Sequence, residues 1–276
     1  MLQVKTPALV LDKQPGYNDE GNISLFTRDF GILRVTASGV YRSGASLSAW
    51  TEPPTSVTAD ISLQEKSFGY GRLFTLTLKN YFPHIRSSYQ NTSWYYFYCF
   101  LLKNFLPQGI KSEGVYQLFK KNLEFKQSWE SDEERDLNFI YFLVKLLRIE
   151  GICSGFSFCL KCEKQFKKDE TSYFALNEQG LLCDDCSKKV ALHNRSEFFP
   201  NQFSLDFLKL LPREKNLKLP EGLLRIKPEE RTVLETCEES GDLKAAYANI
   251  FSRRKINDQT LAKARNFLLI FLAPLL

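Results

Sequence analysis

Two CxxC pairs, Cys159-Leu160-Lys161-Cys162 and Cys183-Asp184-Asp185-Cys186, are separated by 20 residues. Each pair turns two thiolates toward one point. Two pairs at this separation set four sulfurs at about 2.3 Å from a single ion in a tetrahedron, which suits Zn²⁺ and leaves no position for water. A closed site of this kind predicts a structural cofactor, one zinc ion held by Cys159, Cys162, Cys183 and Cys186, and not a catalytic one. The intervening stretch reads as a small ribbon: 172–176 is strand-like, 177–180 is a turn, and Leu181-Leu182 runs into the second pair. Lys161, Lys164, Lys167 and Lys168 surround the first pair and favour thiolate. A dithiol redox pair would need a thioredoxin-like strand and helix around one CxxC, and that pattern is missing, as is the context of an iron–sulfur cluster.

The other cysteines, Cys99, Cys153 and Cys237, lie in apolar or helical segments and read as small core residues. The total of seven is odd, and the first 21 residues hold no apolar run of signal-peptide length. A disulfide framework is therefore not expected, and the protein is expected in the cytoplasm. The longest apolar runs, 94–102 and 267–276, are about half of what a bilayer-spanning helix needs and read as buried helices. Only two histidines, His84 and His193, occur in 276 residues, so a histidine-rich centre is excluded by count. No phosphate-binding loop, dinucleotide fingerprint, HExxH or GxSxG is present. Acidic clusters at 132–134 and 229–230 open helices, where the dipole explains them. The chain is expected not to be an enzyme.

Hydrophobic periodicity divides the chain near residue 80. Strands are predicted at 8–13, 22–28, 32–40, 56–66 and 72–80, the fourth alternating through Val57, Ala59, Ile61 and Leu63 and the fifth through Phe74, Leu76 and Leu78. Five strands that must hide their edges within about 80 residues form most economically a small closed barrel of the oligonucleotide-binding (OB) kind, with SH3-like or open sheets as alternatives. From Tyr81 the spacing becomes helical, over 93–106, 113–123 and 133–150, and again over 203–211, 227–241, 244–252 and 259–272. The fold class is thus α+β: an OB-type domain over 1–80, then a helical domain over 81–276 carrying the four-cysteine insert at 159–186. Trp94, Tyr95, Tyr96, Phe97 and Tyr98 are consecutive, point all round a helix, and are expected to pack in the core.

Net charge is +5, from 37 basic and 32 acidic side chains. This permits nucleic acid or an acidic partner without requiring either. Lys244, Arg253, Arg254, Lys255, Lys263 and Arg265 form the densest basic stretch and read as a solvated helix face.

Strand module, helical body and inserted four-cysteine element, in that order, resemble the bacterial RecO family of DNA repair and recombination mediators. The stretches that carry the resemblance are Pro7-Ala8-Leu9-Val10-Leu11, residues 23–34 (ISLFTRDFGILR), and the cysteine block with Tyr173-Phe174 between the pairs and Gly180-Leu181-Leu182 entering the second. The resemblance covers most of residues 1–211, and the loop at 38–50 departs from it by offering only Arg42 as a cation. It implies binding to single- and double-stranded DNA without sequence preference, annealing of complementary strands, and, with RecR, loading of RecA onto strands coated by single-strand-binding protein, whose C-terminal tail is a further partner. It implies a cytoplasmic, nucleoid-associated protein with no membrane partner. Sequence-neutral binding needs cations along a groove and rings on which bases stack. The candidates are Arg28, Arg34, Arg42, Lys66, Arg72 and Lys79, with Phe30, Tyr41 and Tyr70 as stacking rings. An RNA- or ribosome-associated protein with an OB domain and a zinc ribbon fits the same pattern.

Overall fold

Alternating strands can bury one face by closing on themselves, and the first five do so. The computed structural model describes residues 2–17, 20–42, 46–64, 69–153, 155–175, 180–193, 223–251, 256 and 258–272. These belong to two compact units, Met1–Glu124 and Phe125–Leu276. The helix expected at 203–211, the turn at 177–179, Lys66 and the basic triplet at 253–255 lie outside the described residues.

In the first unit β1 (Leu2–Pro15), β2 (Glu20–Thr27), β3 (Gly31–Ser38), β4 (Thr55–Leu63) and β5 (Tyr70–Asn80) close into a barrel in the order β1-β2-β3-β5-β4. All pairings are antiparallel except β3 with β5, which run parallel with Arg34 opposite Tyr70 and Thr36 opposite Arg72. The long β1 serves both sides of the barrel, and a register shift between Val10 and Asp12 bends it from one to the other. Ala8, Val10, Ile23, Leu25, Leu33, Val35, Val57, Ala59, Ile61, Leu73 and Leu76 fill the interior. At the β2–β3 turn Gly31 has φ +64°, and a Cβ there would come within 1.9 Å of the Ile110 carbonyl oxygen, so glycine alone fits.

One strand departs from its expected alternation. In β5, Phe74 points outward at 52% exposure while Leu73 points in. The register explains this: Asp60 pairs with Thr75 and Ile61 with Leu73, leaving Phe74 as the extra residue of a β-bulge. A bulge resets the two-residue period, so Leu73 and Leu76, three apart, both reach the interior.

Beyond α1 (Ser46–Trp50) and α2 (Pro83–Arg86), the first unit contains α3 (Tyr89–Phe105) and α4 (Glu113–Glu124). Trp94, Tyr95, Phe97 and Tyr98 are buried, and only Tyr96 of that run is exposed. The Tyr95 hydroxyl donates to the Val10 carbonyl and Tyr116 meets Phe26 edge-on at 5.5 Å, so α3 and α4 lie against β1 and β2. These rings are core, not stacking surface.

The second unit opens with a 3-10 turn (Lys126–Trp129) and α5 (Asp132–Ile149), whose start is closed by a capping box in which Ser131 and Glu134 bond each other's backbone N–H groups at 3.2 and 2.9 Å. There follow β6 (Ser172–Ala175), β7 (Gly180–Leu182), α6 (Asp184–His193), β8 (Leu223–Ile226), α7 (Pro228–Glu239), α8 (Leu243–Phe251) and α9 (Asp258–Leu272). The three strands form a sheet in the order β7-β6-β8, and α5, α7 and α9 pack on one another. The four-residue β8 is too short to leave a periodic signal. Arg265, read as part of a solvated face, is instead buried, its guanidinium 2.7 Å from Asp136. Lys244 and Lys263 do lie at the surface. Among the described residues no helix is long and apolar enough to cross a membrane.

Candidate metal centre and nucleic-acid face

Tight backbone turns bring the four cysteines together. The Cys159 N–H donates to the Lys164 carbonyl and the Glu163 N–H to the Cys159 carbonyl, both at 2.9 Å, with Glu163 in the left-handed region at φ 56°. Cys183 directly follows β7 and Cys186 sits in the first turn of α6, where unpaired helical N–H groups favour negative charge. All four Sγ atoms lie within 4.8 Å of one another, and Cys162 and Cys183 are 3.7 Å apart. A tetrahedron with 2.3 Å metal–sulfur bonds has edges of about 3.8 Å, so the donor set fits a thiolate-binding ion.

The electrostatics favour the same chemistry. Burial alone would push the Cys159 thiol up, but backbone N–H groups of Cys183, Cys162 and Lys161 aimed at its sulfur bring it down to about 7. Burial and then the neighbouring sulfurs drive Cys186 up to about 12. One thiolate forms readily and its neighbours resist, a conflict that a bound cation removes. The donors at Cys159 are main-chain groups and not the lysines expected from the sequence; Lys164 is engaged by Glu170 at 2.8 Å. Burial raises the remaining thiols, Cys99 to about 12, Cys153 to about 11 and Cys237 further still, which leaves them inert.

Arg231 of α7, missed from sequence, ties this element down. Its buried guanidinium donates to the carbonyls of Glu170 (2.7 Å) and Lys167, pairs with Glu235 at 3.1 Å and lies 4.8 Å over the Phe166 ring. Glu238 on the same helix accepts the Phe156 N–H at 3.0 Å. Nothing in the local sequence around the cysteines announces partners 60 residues downstream.

The nucleic-acid candidates fall at separate places on the first unit. Arg34, Tyr70 and Arg72 share the outer face of β3 and β5, where Arg72 reaches Glu20 at 3.4 Å. Phe74, which the expected alternation put inside, shares that face. Tyr41 and Arg42 follow β3; the Tyr41 ring has the Lys13 ammonium 4.7 Å over one side and is 46% exposed. Arg28, at the other end of the β2–β3 hairpin, is engaged by Asp29 at 2.9 and 3.2 Å, which with Thr6 holds that carboxyl below its usual range. Phe30 is half-buried against the barrel interior. Lys79 lines a separate cleft with Thr58, Tyr116 and Lys120.

Comparison with known proteins bears on this combination. The family described as "Recombination protein O C terminal" matches residues 86–199. Proteins named "DNA repair protein RecO" from Dehalococcoides mccartyi and Caldanaerobacter subterraneus subsp. tengcongensis are similar to the chain. The first is 25% identical over 187 residues, covering 66% of this chain and 69% of the relative. The second is 26% identical over 216 residues, covering 78% and 83%. A third relative of that name, from Exiguobacterium sibiricum, is 28% identical over 163 residues, covering 58% and 61%. With an OB-type barrel, a helical body and a four-cysteine centre in the order described, the chain is similar to the RecO family in both sequence and architecture.

Proposed function

We propose that the protein is a DNA repair and recombination mediator and not an enzyme. In this reading it binds single- and double-stranded DNA without sequence preference, anneals complementary strands, and with RecR helps RecA load onto strands coated by single-strand-binding protein. Similarity to proteins named for DNA repair supports the repair role. The observation that carries DNA binding is the outer face of the closed barrel, where Arg34 and Arg72 stand among exposed rings on adjoining strands. The barrel domain over 1–80 grips the backbone and the helical body over 81–276 supports partner contacts. One Zn²⁺, held by Cys159, Cys162, Cys183 and Cys186 in the 159–186 element, supplies rigidity and no chemistry, since four sulfurs leave no open position. Such a protein works in the cytoplasm at the nucleoid.

Electrophoretic mobility shift of oligonucleotides tests the reading. Binding is expected at low salt, and for three phosphate contacts an approximately fourfold rise in salt should weaken it roughly 20-fold. No binding at low salt defeats it. Competition by RNA of the same sequence separates this reading from an RNA-binding role. A pull-down with the C-terminal peptide of single-strand-binding protein tests the partner, and elemental analysis tests the ion, where iron or no metal would end the zinc assignment.

A further inference from the structure

Ordinary alternation along the first half of β5 puts two rings on one outer face, and the bulge at Phe74 returns Leu76 to the interior without turning either ring inward. Tyr70, Arg72 and Phe74 alternate outward, with Gly71 and Leu73 inward, and the two rings are 45% and 52% exposed. Arg34 lies directly across the parallel pair from Tyr70 and has no ion-pair partner among the described residues. Among the described residues, the carboxylates bordering this face are engaged: Asp60 accepts from Gln3 at 3.0 Å, and Glu20 accepts from Ser38 at 3.1 Å and from Arg72. A lone exposed ring is ordinary on a protein surface. Two rings alternating with guanidinium groups on adjoining strands are the composition of a single-strand binding groove.

We propose that Tyr70 and Phe74 stack unpaired bases of single-stranded DNA while Arg34 and Arg72 meet its phosphates, an inference that rests on the DNA-binding reading above and adds a strand preference to it. Positions 70 and 74 stand about 13 Å apart along an extended strand. Inside a duplex both faces of a base are covered by its neighbours, about 3.4 Å per step along each strand, so only a strand with splayed bases can offer a face to each ring. Phosphates are available in both forms, and the arginines alone would not discriminate. The selectivity therefore resides in the rings.

The test compares affinities of the full chain for a single-stranded oligonucleotide containing 2-aminopurine and for the corresponding duplex. Phe74→Ser and Tyr70→Ser should each lower single-strand affinity roughly 5- to 150-fold and reduce the quenching that stacking causes. Duplex affinity should change less than about twofold, because no base face is open there. Phe74→Trp should restore single-strand binding, and unchanged thermal melting checks that each variant is folded. Arg34→Ala should weaken both forms and lower the salt slope by about one. Unaltered single-strand binding in both serine variants, or an equal loss on duplex, overturns the platform while leaving the DNA-binding reading intact. Failure of the wild-type chain to bind either form at low salt overturns that underlying reading. Tighter binding of single-stranded RNA overturns the assignment of DNA as occupant.

Discussion

The barrel holds its shape with a continuous interior drawn from all five strands, whereas the sheet beside the four cysteines is built from strands of three or four residues. The barrel's interior needs only aliphatic packing. The smaller element buries Phe156, Phe166, Phe174, Leu181 and Leu182, a core too slight to order its loops without added restraints. Those restraints are four sulfurs converging on one point and a buried arginine reaching in from α7. Size decides which strategy a segment uses, because surface-to-volume ratio limits how much apolar area a few residues can remove from water.

Removing the metal proposed for the four cysteines should produce the largest effect and the cleanest separation. Cys183→Ser, or chelation, is expected to release one zinc per chain and abolish amide-exchange protection at Ser172–Ala175 and Gly180–Leu182, with Glu20–Thr27 and Gly31–Ser38 still protected. Structural zinc binding contributes about 10 kcal/mol or more, so no compensation by packing is available. Equal loss of protection in the barrel would break the comparison.

Replacing the buried arginine should come next. Arg231→Met strips two carbonyls and one carboxylate of their donor and is expected to cost about 3–5 kcal/mol at neutral pH. Burial already holds Glu235 above the usual carboxylate range, and Arg231 draws it back. Without Arg231 it rises further, so the folded state binds the proton more tightly than the unfolded chain and stability falls as pH rises through that window. The deficit of the variant should therefore narrow on acidification through the carboxylate range, without closing, because the carbonyls stay unpaired at every pH. Denaturant midpoints measured across pH check this; a constant deficit would locate the arginine's contribution in its carbonyl bonds alone.

The smallest of the three effects belongs to the barrel. Leu25→Ala removes one side chain from the interior and should cost about 2–5 kcal/mol, according to how far its neighbours collapse into the space. Zinc content should stay unchanged. Metal loss in this variant would show that the two regions do not stand independently.

Much of this architecture was legible from residue order. Alternation identified all five strands because each has one wet face, and CxxC spacing identified the four cysteines that converge because two knuckles can turn toward one point. Phe74 was misassigned because a bulge is created by the pairing of β4 with β5, and one strand read alone keeps its two-residue period. Arg265 looked solvated because its partner, Asp136, lies 129 residues away in sequence. Arg231 was silent for the same reason, since its acceptors are main-chain carbonyls that any residue supplies.

Local periodicity and short-range spacing therefore determined the barrel, the helical body and the four sulfur donors, because the forces behind them act between residues a few positions apart. Tertiary structure alone decided which rings face outward on β5, which cations are buried and what clamps the four-cysteine element. Those outcomes depend on partners brought together only when distant segments pair, and such pairing leaves no mark on either segment by itself.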